Sequence, residues 1–198
     1  MYHIPEDKRA IRSADLLSEA LLDCLADKDF DQVSVSELNK RSFVSRSTFY
    51  RLFDTTVDVL HYLCDKMFES VVGKLSRMHF SDPEEMMIAF NREIMSRGAI
   101  IDAVVNSHRM DILYNTHVKY ADAFLPCFTP YREGLTDKEK ECVLSILTAS
   151  LCSYIGLWAE NGKRESPEEL TGIVMKSFML IAQVTSPPKQ FPGHEKKS

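Results

Sequence analysis

Apolar residues recur every three or four positions along most of the chain, the spacing of amphipathic helices. Leu17, Leu21, Cys24 and Leu25 share a face of a first helix predicted over about 14–28, with Ser13 as N-cap and residues 1–12 as a loose arm carrying Lys8, Arg9 and Arg12. Phe30 and Val33 fall in the link that follows. Ser34 caps a short helix to about Ser42 with Val35 and Leu38 inward; Ser45 caps another, about 46–52, in which Phe49 shares a buried face with Phe53. Thr55 or Thr56 opens a long helix to about Met78, with Leu60, Leu63, Cys64, Met67, Val71 and Leu75 at helical spacing. At 1.5 Å per residue it would span roughly 35 Å.

The second half has sharper boundaries. Ser81-Asp82-Pro83-Glu84-Glu85 combines a cap, a first-turn proline and acids that match the helix dipole. Helices of about 83–96 and 98–107, broken near Gly98, lead to one of about 108–125 stopped by Pro126, with Pro130 close behind. Thr136 and Asp137 open a helix to about Asn161, ended by Gly162, and Ser166-Pro167-Glu168-Glu169 opens the last, to about Val184. The pattern predicts an all-α fold of about nine helices: a three-helix unit over 1–56, a helical body over 57–185 and a flexible tail over 186–198. There is no internal repeat, glycine-rich phosphate loop or sustained strand-like alternation.

Length and composition (198 residues, 44% hydrophobic) suit one or two globular domains. No apolar run reaches the ~20 residues of a bilayer crossing, and MYHIPEDKRA lacks a signal peptide's apolar core, so a cytoplasmic protein with no membrane partner is expected. The five cysteines, at 24, 64, 127, 142 and 152, include no C-x-x-C pair and lie in apolar helical patterns, so they are expected to be buried free thiols. A net charge of −5 argues against nucleic acid covering the whole molecule. Charge is segregated, however: 38–53 holds Lys40, Arg41, Arg46 and Arg51 with no acid, whereas Asp23, Asp27, Asp29 and Asp31 gather before it.

Residues 33–53, VSVSELNKRSFVSRSTFYRLF, therefore read as two short helices joined by a tight turn, the layout that places a second helix in the DNA major groove. Val35, Leu38, Val44, Phe49 and Phe53 supply a small core, and the opposite face presents Ser36, Arg46, Ser47, Thr48, Tyr50 and Arg51. Ser45, at the helix start, suits a phosphate. The hydroxyls of Thr48 and Tyr50 can donate to phosphate oxygens, which sets register without reading bases. Arg46 and Ser47 come early enough to reach base edges, where a bidentate Arg–guanine pair discriminates by about 1–3 kcal/mol. The bland reading is a helical hairpin with solvated arginines; caps, core spacing and local charge agree against it.

The run VSVSELNKRSFVSRSTFYRLFDTTVDVL resembles the DNA-binding region of the TetR (tetracycline-repressor) family: a Val/Thr-rich lead, a short helix, a turn ending in Val-Ser, then Thr-Phe-Tyr, two residues, Phe, and a long fourth helix. ALLDCLADKDFDQVSV is similar to that family's first helix and Phe-containing link. LCSYIGLWAENGKRESPEEL resembles the C-terminal region of a branch that includes activators of dihydroxyacetone-kinase operons. Two positions depart. The family usually has Gly where this chain has Phe43; a bulky residue at φ > 0 costs about 1–2 kcal/mol, so the turn is expected to be displaced, or strained with Phe43 partly exposed. The family often has Lys where this chain has Thr56, whose hydroxyl and helix N-terminus would partly replace the cation at a phosphate.

The resemblance implies a homodimer on a palindromic double-stranded operator, with repression as the default and activation open through the C-terminal likeness. It implies that the last two helices pair with their two-fold mates. Ala149, Cys152, Ser153 and Gly156 form a small-residue stripe on the helix over 136–161 and, with Ile173 and Phe178, are the candidate interface. The stripe suits the symmetry axis or a crossing within the chain. The resemblance also implies a small apolar or amphipathic effector held between the fourth helix and those after it. Candidate lining groups are Met67, Met86, Phe90, Ile94, Val104, Leu113, Tyr114, His117, Ala121 and Phe124. Periodicity does not separate lining from a filled core, and both readings stay open.

No metal, cofactor or enzymatic chemistry is expected. His108 and His117 are nine apart, which is not one-face helical spacing, and no Cys/His cluster surrounds them. Glu93 and Asp111 near histidines make no catalytic set, and no nucleophile–base pair is present. The alternative function is a coregulator acting mainly through protein contacts, with Phe43 as a contact residue.

Overall fold

The computed structural model describes residues 2–124 and 134–185, apart from the side chains of 121–124. Among the described residues there are nine α-helices, one 3-10 turn (Phe30–Gln32) and no strand. The helices are α1 (Lys8–Leu25), α2 (Val35–Ser42), α3 (Arg46–Leu52), α4 (Thr56–Leu75), α5 (Pro83–Met95), α6 (Gly98–Asn106), α7 (Met110–Phe124), α8 (Asp137–Glu160) and α9 (Pro167–Thr185). The expected stop at Pro126 and Pro130, Cys127, and the tail over 186–198 lie outside the described residues.

The first helix starts earlier than predicted. Asp7, not Ser13, is the N-cap, its carboxylate accepting from Arg9 N at 3.1 Å. Ser13 lies inside the helix, where its hydroxyl donates to Arg9 O at 2.9 Å. Fully buried Ala10 and Ala14 carry the packed face back towards the N-terminus. The segment ahead of Asp7 is tied down rather than loose. His3 N donates to Leu52 O at 2.8 Å, the Tyr2 ring meets Tyr62 edge-on at 5.5 Å, and the Tyr2 hydroxyl donates to Asp65. Helix α4 ends at Leu75, so its 20 residues span about 30 Å.

Helices α2 and α3 begin at the predicted serine caps, with Ser34 accepting from Glu37 N and Ser45 from Thr48 N. Leu38, Val44, Phe49 and Phe53 are buried, joined by Leu52, which the helical pattern alone had not singled out. Helix α4 is the central strut: it packs on α1 at one end and on α5, α6 and α7 beyond. Helix α8 lies on α6 and α7, and α9 lies on α5. One hydrophobic cluster runs through these layers from Ala10 to Val174.

A buried polar relay ties three of these helices together. The Tyr154 hydroxyl (α8) donates to Asn91 Oδ1 (α5) at 2.8 Å, Asn91 Nδ2 donates to Thr171 Oγ1 (α9) at 2.9 Å, and Thr171 Oγ1 donates to Pro167 O at 2.7 Å. Each group is thereby satisfied in a low-dielectric interior.

Helix α8 is long and apolar enough, by length and composition alone, to cross a membrane, but its apolar residues Leu151, Ile155 and Trp158 are buried in the chain's own core, as in a core helix of a helical body. One further expectation changes. Cys24, Cys64 and Cys152 are buried and burial raises their thiol pKa values, that of Cys152 to about 11, but Cys142 is exposed on the outer face of α8.

Candidate nucleic-acid interface

Helix α3 is fixed from beneath. Phe49 and Leu52 are completely buried, so Arg46, Ser47, Tyr50 and Arg51 are exposed and Thr48 is half-buried at the rim. At its start Ser45 Oγ accepts from Thr48 N at 3.1 Å and shares hydrogen bonds with Ser47 Oγ (3.0 Å) and Thr48 Oγ1 (2.9 Å), which gathers three hydroxyls on one edge. The Arg46 guanidinium lies 5.5 Å from the Tyr50 ring centroid and donates from Nη2 to the Tyr50 hydroxyl at 3.4 Å. Tyr50 in turn meets Phe49 edge-on at 5.3 Å. A cation, a phenol and hydroxyls therefore share one exposed surface on a rigid base.

The positive face is narrower than the sequence indicated. Arg41 folds back onto the end of α1, donating to Asp23 O at 3.1 Å and to Asp27 Oδ2 at 3.2 Å, with Glu37 at 3.5 Å. Lys28 pairs with Glu37 at 2.8 Å, and its hydrogen bond lowers the Glu37 pKa. Lys40, Arg46 and Arg51 remain exposed, as does Ser36 in the first turn of α2. Thr56 is half-buried at the first position of α4, where the Asp58 carboxylate accepts from Asp54 N at 3.1 Å and Thr55 N at 3.0 Å.

The α2–α3 turn is strained rather than displaced. Phe43 sits in the left-handed region (φ 56°, ψ 17°) with 95% of its surface exposed. Ser42 Oγ accepts from Val44 N at 3.2 Å and helps close the turn. The conformation costs about 1–2 kcal/mol for a residue other than glycine.

Of the candidate effector-lining groups, Met67, Met86, Phe90, Ile94, Val104 and Leu113 are buried, all but Met86 within the main hydrophobic cluster. Tyr114 is half-buried, its hydroxyl 3.1 Å from Ser145 Oγ. His117 Nδ1 and Thr148 Oγ1 are hydrogen-bonded at 2.8 Å, the ring stands edge-on to Phe68 and Phe90, and burial lowers its pKa to about 4. The side chains of Ala121 and Phe124 lie outside the described residues. A cleft of about 570 Å³ opens elsewhere, between the α1–α2 link and α6, and one of about 470 Å³ runs between α8 and α9.

The small-residue stripe of α8 divides. Ala149 and Ser153 are exposed, while Cys152 and Gly156 turn into the chain's own body, and a Cβ added at Gly156 would lie 3.5 Å from Met110 Cε. At Cys152 and Gly156 the close crossing is therefore within the chain. Ile173 is exposed and Phe178 half-buried beside the α8–α9 groove. Ile146, Leu157, Met179, Leu180, Ile181 and Val184 leave more than half of each residue exposed.

Glu93 pairs with Lys74 (2.7 Å) and Arg97 (3.0 Å), and Asp111 with Arg109 (2.8 Å). No group of three or more His, Cys, Asp or Glu among the described residues is placed to hold a metal ion.

No family model matches the chain. It is 22% identical over 170 residues to the uncharacterized HTH-type transcriptional regulator YxbF of Bacillus subtilis, covering 83% of this chain and 44% of YxbF; it thus spans less than half the length of that relative. Among solved structures, Lin0861 from Listeria innocua superposes with a TM-score of 0.75 at 13% identity over 90% of this chain and 96% of that one. A TetR transcriptional regulator from Streptococcus agalactiae 2603V superposes at 0.59 with 15% identity, over 87% and 96%. The chain has the TetR fold. The dihydroxyacetone kinase operon activator DhaS shares it as well, with a TM-score of 0.60 and 14% identity over 89% of this chain and 99% of DhaS. The likeness read in SRSTFYRLF therefore extends, as fold, well beyond the TetR-like helix-turn-helix.

Proposed function

We propose that the chain is a dimeric DNA-binding transcriptional regulator of TetR type, with residues 1–56 as the reader and 57–185 as the dimerising body. The observation that carries the reading is the exposed outer face of α3, where Arg46, Ser47, Tyr50 and Arg51 stand on fully buried Phe49 and Leu52 at the turn of a helix-turn-helix. The name of the YxbF relative, an HTH-type transcriptional regulator, supports it.

Duplication of the reader follows from the DNA. Two copies about 34–36 Å apart meet successive major grooves of a palindrome, whereas one binds weakly. The apolar surface left on α8 and α9 supports self-association through that end. Helix α4, packed on α1 and on α7, is the element through which an apolar or amphipathic effector would change the spacing of the readers. Such a ligand acts only through unequal affinity for the two arrangements. Repression by promoter occlusion is the default reading, and the fold shared with DhaS keeps activation beside it.

The test is retardation of duplexes from upstream of the gene at increasing salt, followed by a map of bound genomic sites. Specific binding that weakens linearly in log salt, with a slope near −0.9 per phosphate contacted, is the expected result. A chain that retards no duplex unless a partner protein is added would instead be a coregulator.

A further inference from the structure

We infer that Phe43 is an apolar DNA contact, its ring packing on the thymine 5-methyl or deoxyribose groups of the operator beside the hydrogen-bonding face of α3. The inference rests on the DNA-reading function proposed above and assigns a role to a side chain that the local fold does not use.

Folding of the isolated chain gives no reason for an aromatic here. The backbone at Phe43 is left-handed, where glycine would be free of strain, and the ring is 95% exposed. Backbone and side chain are both disfavoured at a position where glycine would close the same turn. Observed strain of this kind points towards function.

Position supplies the partner. Phe43 precedes the α3 cap, Ser45, by two residues, so its Cα lies within about 8 Å of the helix end that meets the groove. Its surroundings suit DNA better than protein. Lys40 and Arg46 are exposed within three residues of it, 38–53 contains no acid, and in that stretch the other large apolar side chain left exposed is Tyr50, which is capped by the Arg46 guanidinium. A protein contact of any strength needs a contiguous apolar centre. A lone ring among cations and hydroxyls matches the major groove, where thymine methyls stand between phosphate walls and accept apolar contacts.

Two variants separate the contact from the fold. F43A removes the ring and keeps the left-handed strain; F43G removes both. In titrations of the full chain with its operator duplex, each is expected to lower affinity about tenfold without changing the salt slope, because no phosphate contact is lost. F43G is expected to raise Tm by about 2–4 °C at the same time. Replacing operator thymines by deoxyuridine identifies the source. If the methyl is the partner, wild type loses the same factor and F43A loses nothing more; if deoxyribose is, wild type is unaffected and F43A still loses it. Wild-type affinity retained in both variants overturns the inference and leaves the regulator reading intact. A lower Tm for F43G overturns it too, since the ring would be packed on its own chain. Failure of wild type to bind any duplex brings down both.

Discussion

The Arg46 guanidinium lies over the ring of Tyr50, 5.5 Å from its centroid, and donates to its hydroxyl at 3.4 Å. The two residues are one helical turn apart, so α3 holds its leading cation upright before any DNA arrives. R46A is expected to weaken operator binding about 10- to 100-fold. If Arg46 reads a guanine, the loss falls on sequences carrying that base; if it meets a phosphate, the loss is uniform and the salt slope drops by about 1. Y50F, which keeps the ring and loses the hydroxyl, is expected to cost less than Y50A. Fluorescence anisotropy across a panel of single-base operator variants distinguishes these outcomes.

His117 makes stability depend on pH. Burial holds its pKa down at about 4, while the unfolded chain titrates near the ordinary value of 6.5. The unfolded state therefore binds the extra proton first as pH falls. His117 contributes its full stability above pH 6.5, loses it between about 6.5 and 4, and contributes no further slope below that, for a total of about 3 kcal/mol. H117Q removes the titration and can keep a hydrogen bond to Thr148. Urea unfolding from pH 7.5 to 4 is expected to show wild type losing stability relative to H117Q across that window; parallel curves would mean that the ring is solvated.

What was legible in the sequence was local. Ser34 and Ser45 announce α2 and α3 because a cap and its recipient N–H are three residues apart, and Leu38, Phe49 and Phe53 sit inward because helical spacing leaves them no other face. What was not legible depends on distant partners. Ser13 reads as the cap of α1 until His3 is seen bonded to Leu52 and Ala10 packed in the core, which carries the helix back to Asp7. Arg41 counts as a DNA cation until Asp27, 14 positions earlier, pairs with it. The small stripe of α8 reads the same on a symmetry axis or under Met110, and only packing puts Gly156 in the second setting. For Phe43 the sequence left two outcomes, a displaced turn or a strained one with the ring partly exposed, and the left-handed backbone at that residue decides for the second.

The Asn91 relay predicts a cooperative loss. N91A would strip the Tyr154 hydroxyl of its acceptor and leave the Thr171 hydroxyl without a donor inside the body, at a cost of about 2–4 kcal/mol. Y154F alone removes one donor and is expected to cost about 1 kcal/mol. Because N91A has already broken the bond that Y154F removes, the double variant is expected to fall short of the sum of the singles. Denaturant midpoints of the four proteins measure the coupling, and simple additivity would mean that the groups do not act as one network.

Fold and assembly separate on α8 and α9. A leucine at Gly156 would press on Met110, whose Cε already lies 3.5 Å from the site of a Cβ, so G156L is expected to lower stability by about 1–3 kcal/mol while leaving association intact. Ile181 is 58% exposed on α9 and lines the groove between that helix and α8, so a charge there disturbs little within one chain. In a dimer built on this face, I181E would bury an unpaired carboxylate against the second copy, and charges buried without a partner are strongly disfavoured. Sedimentation is expected to show I181E as a monomer with its helical circular dichroism retained, and DNA retardation to weaken as the paired readers are lost. If G156L dissociated and I181E did not, the two copies would have to meet through the α6–α7 side of α8 rather than the face it shares with α9.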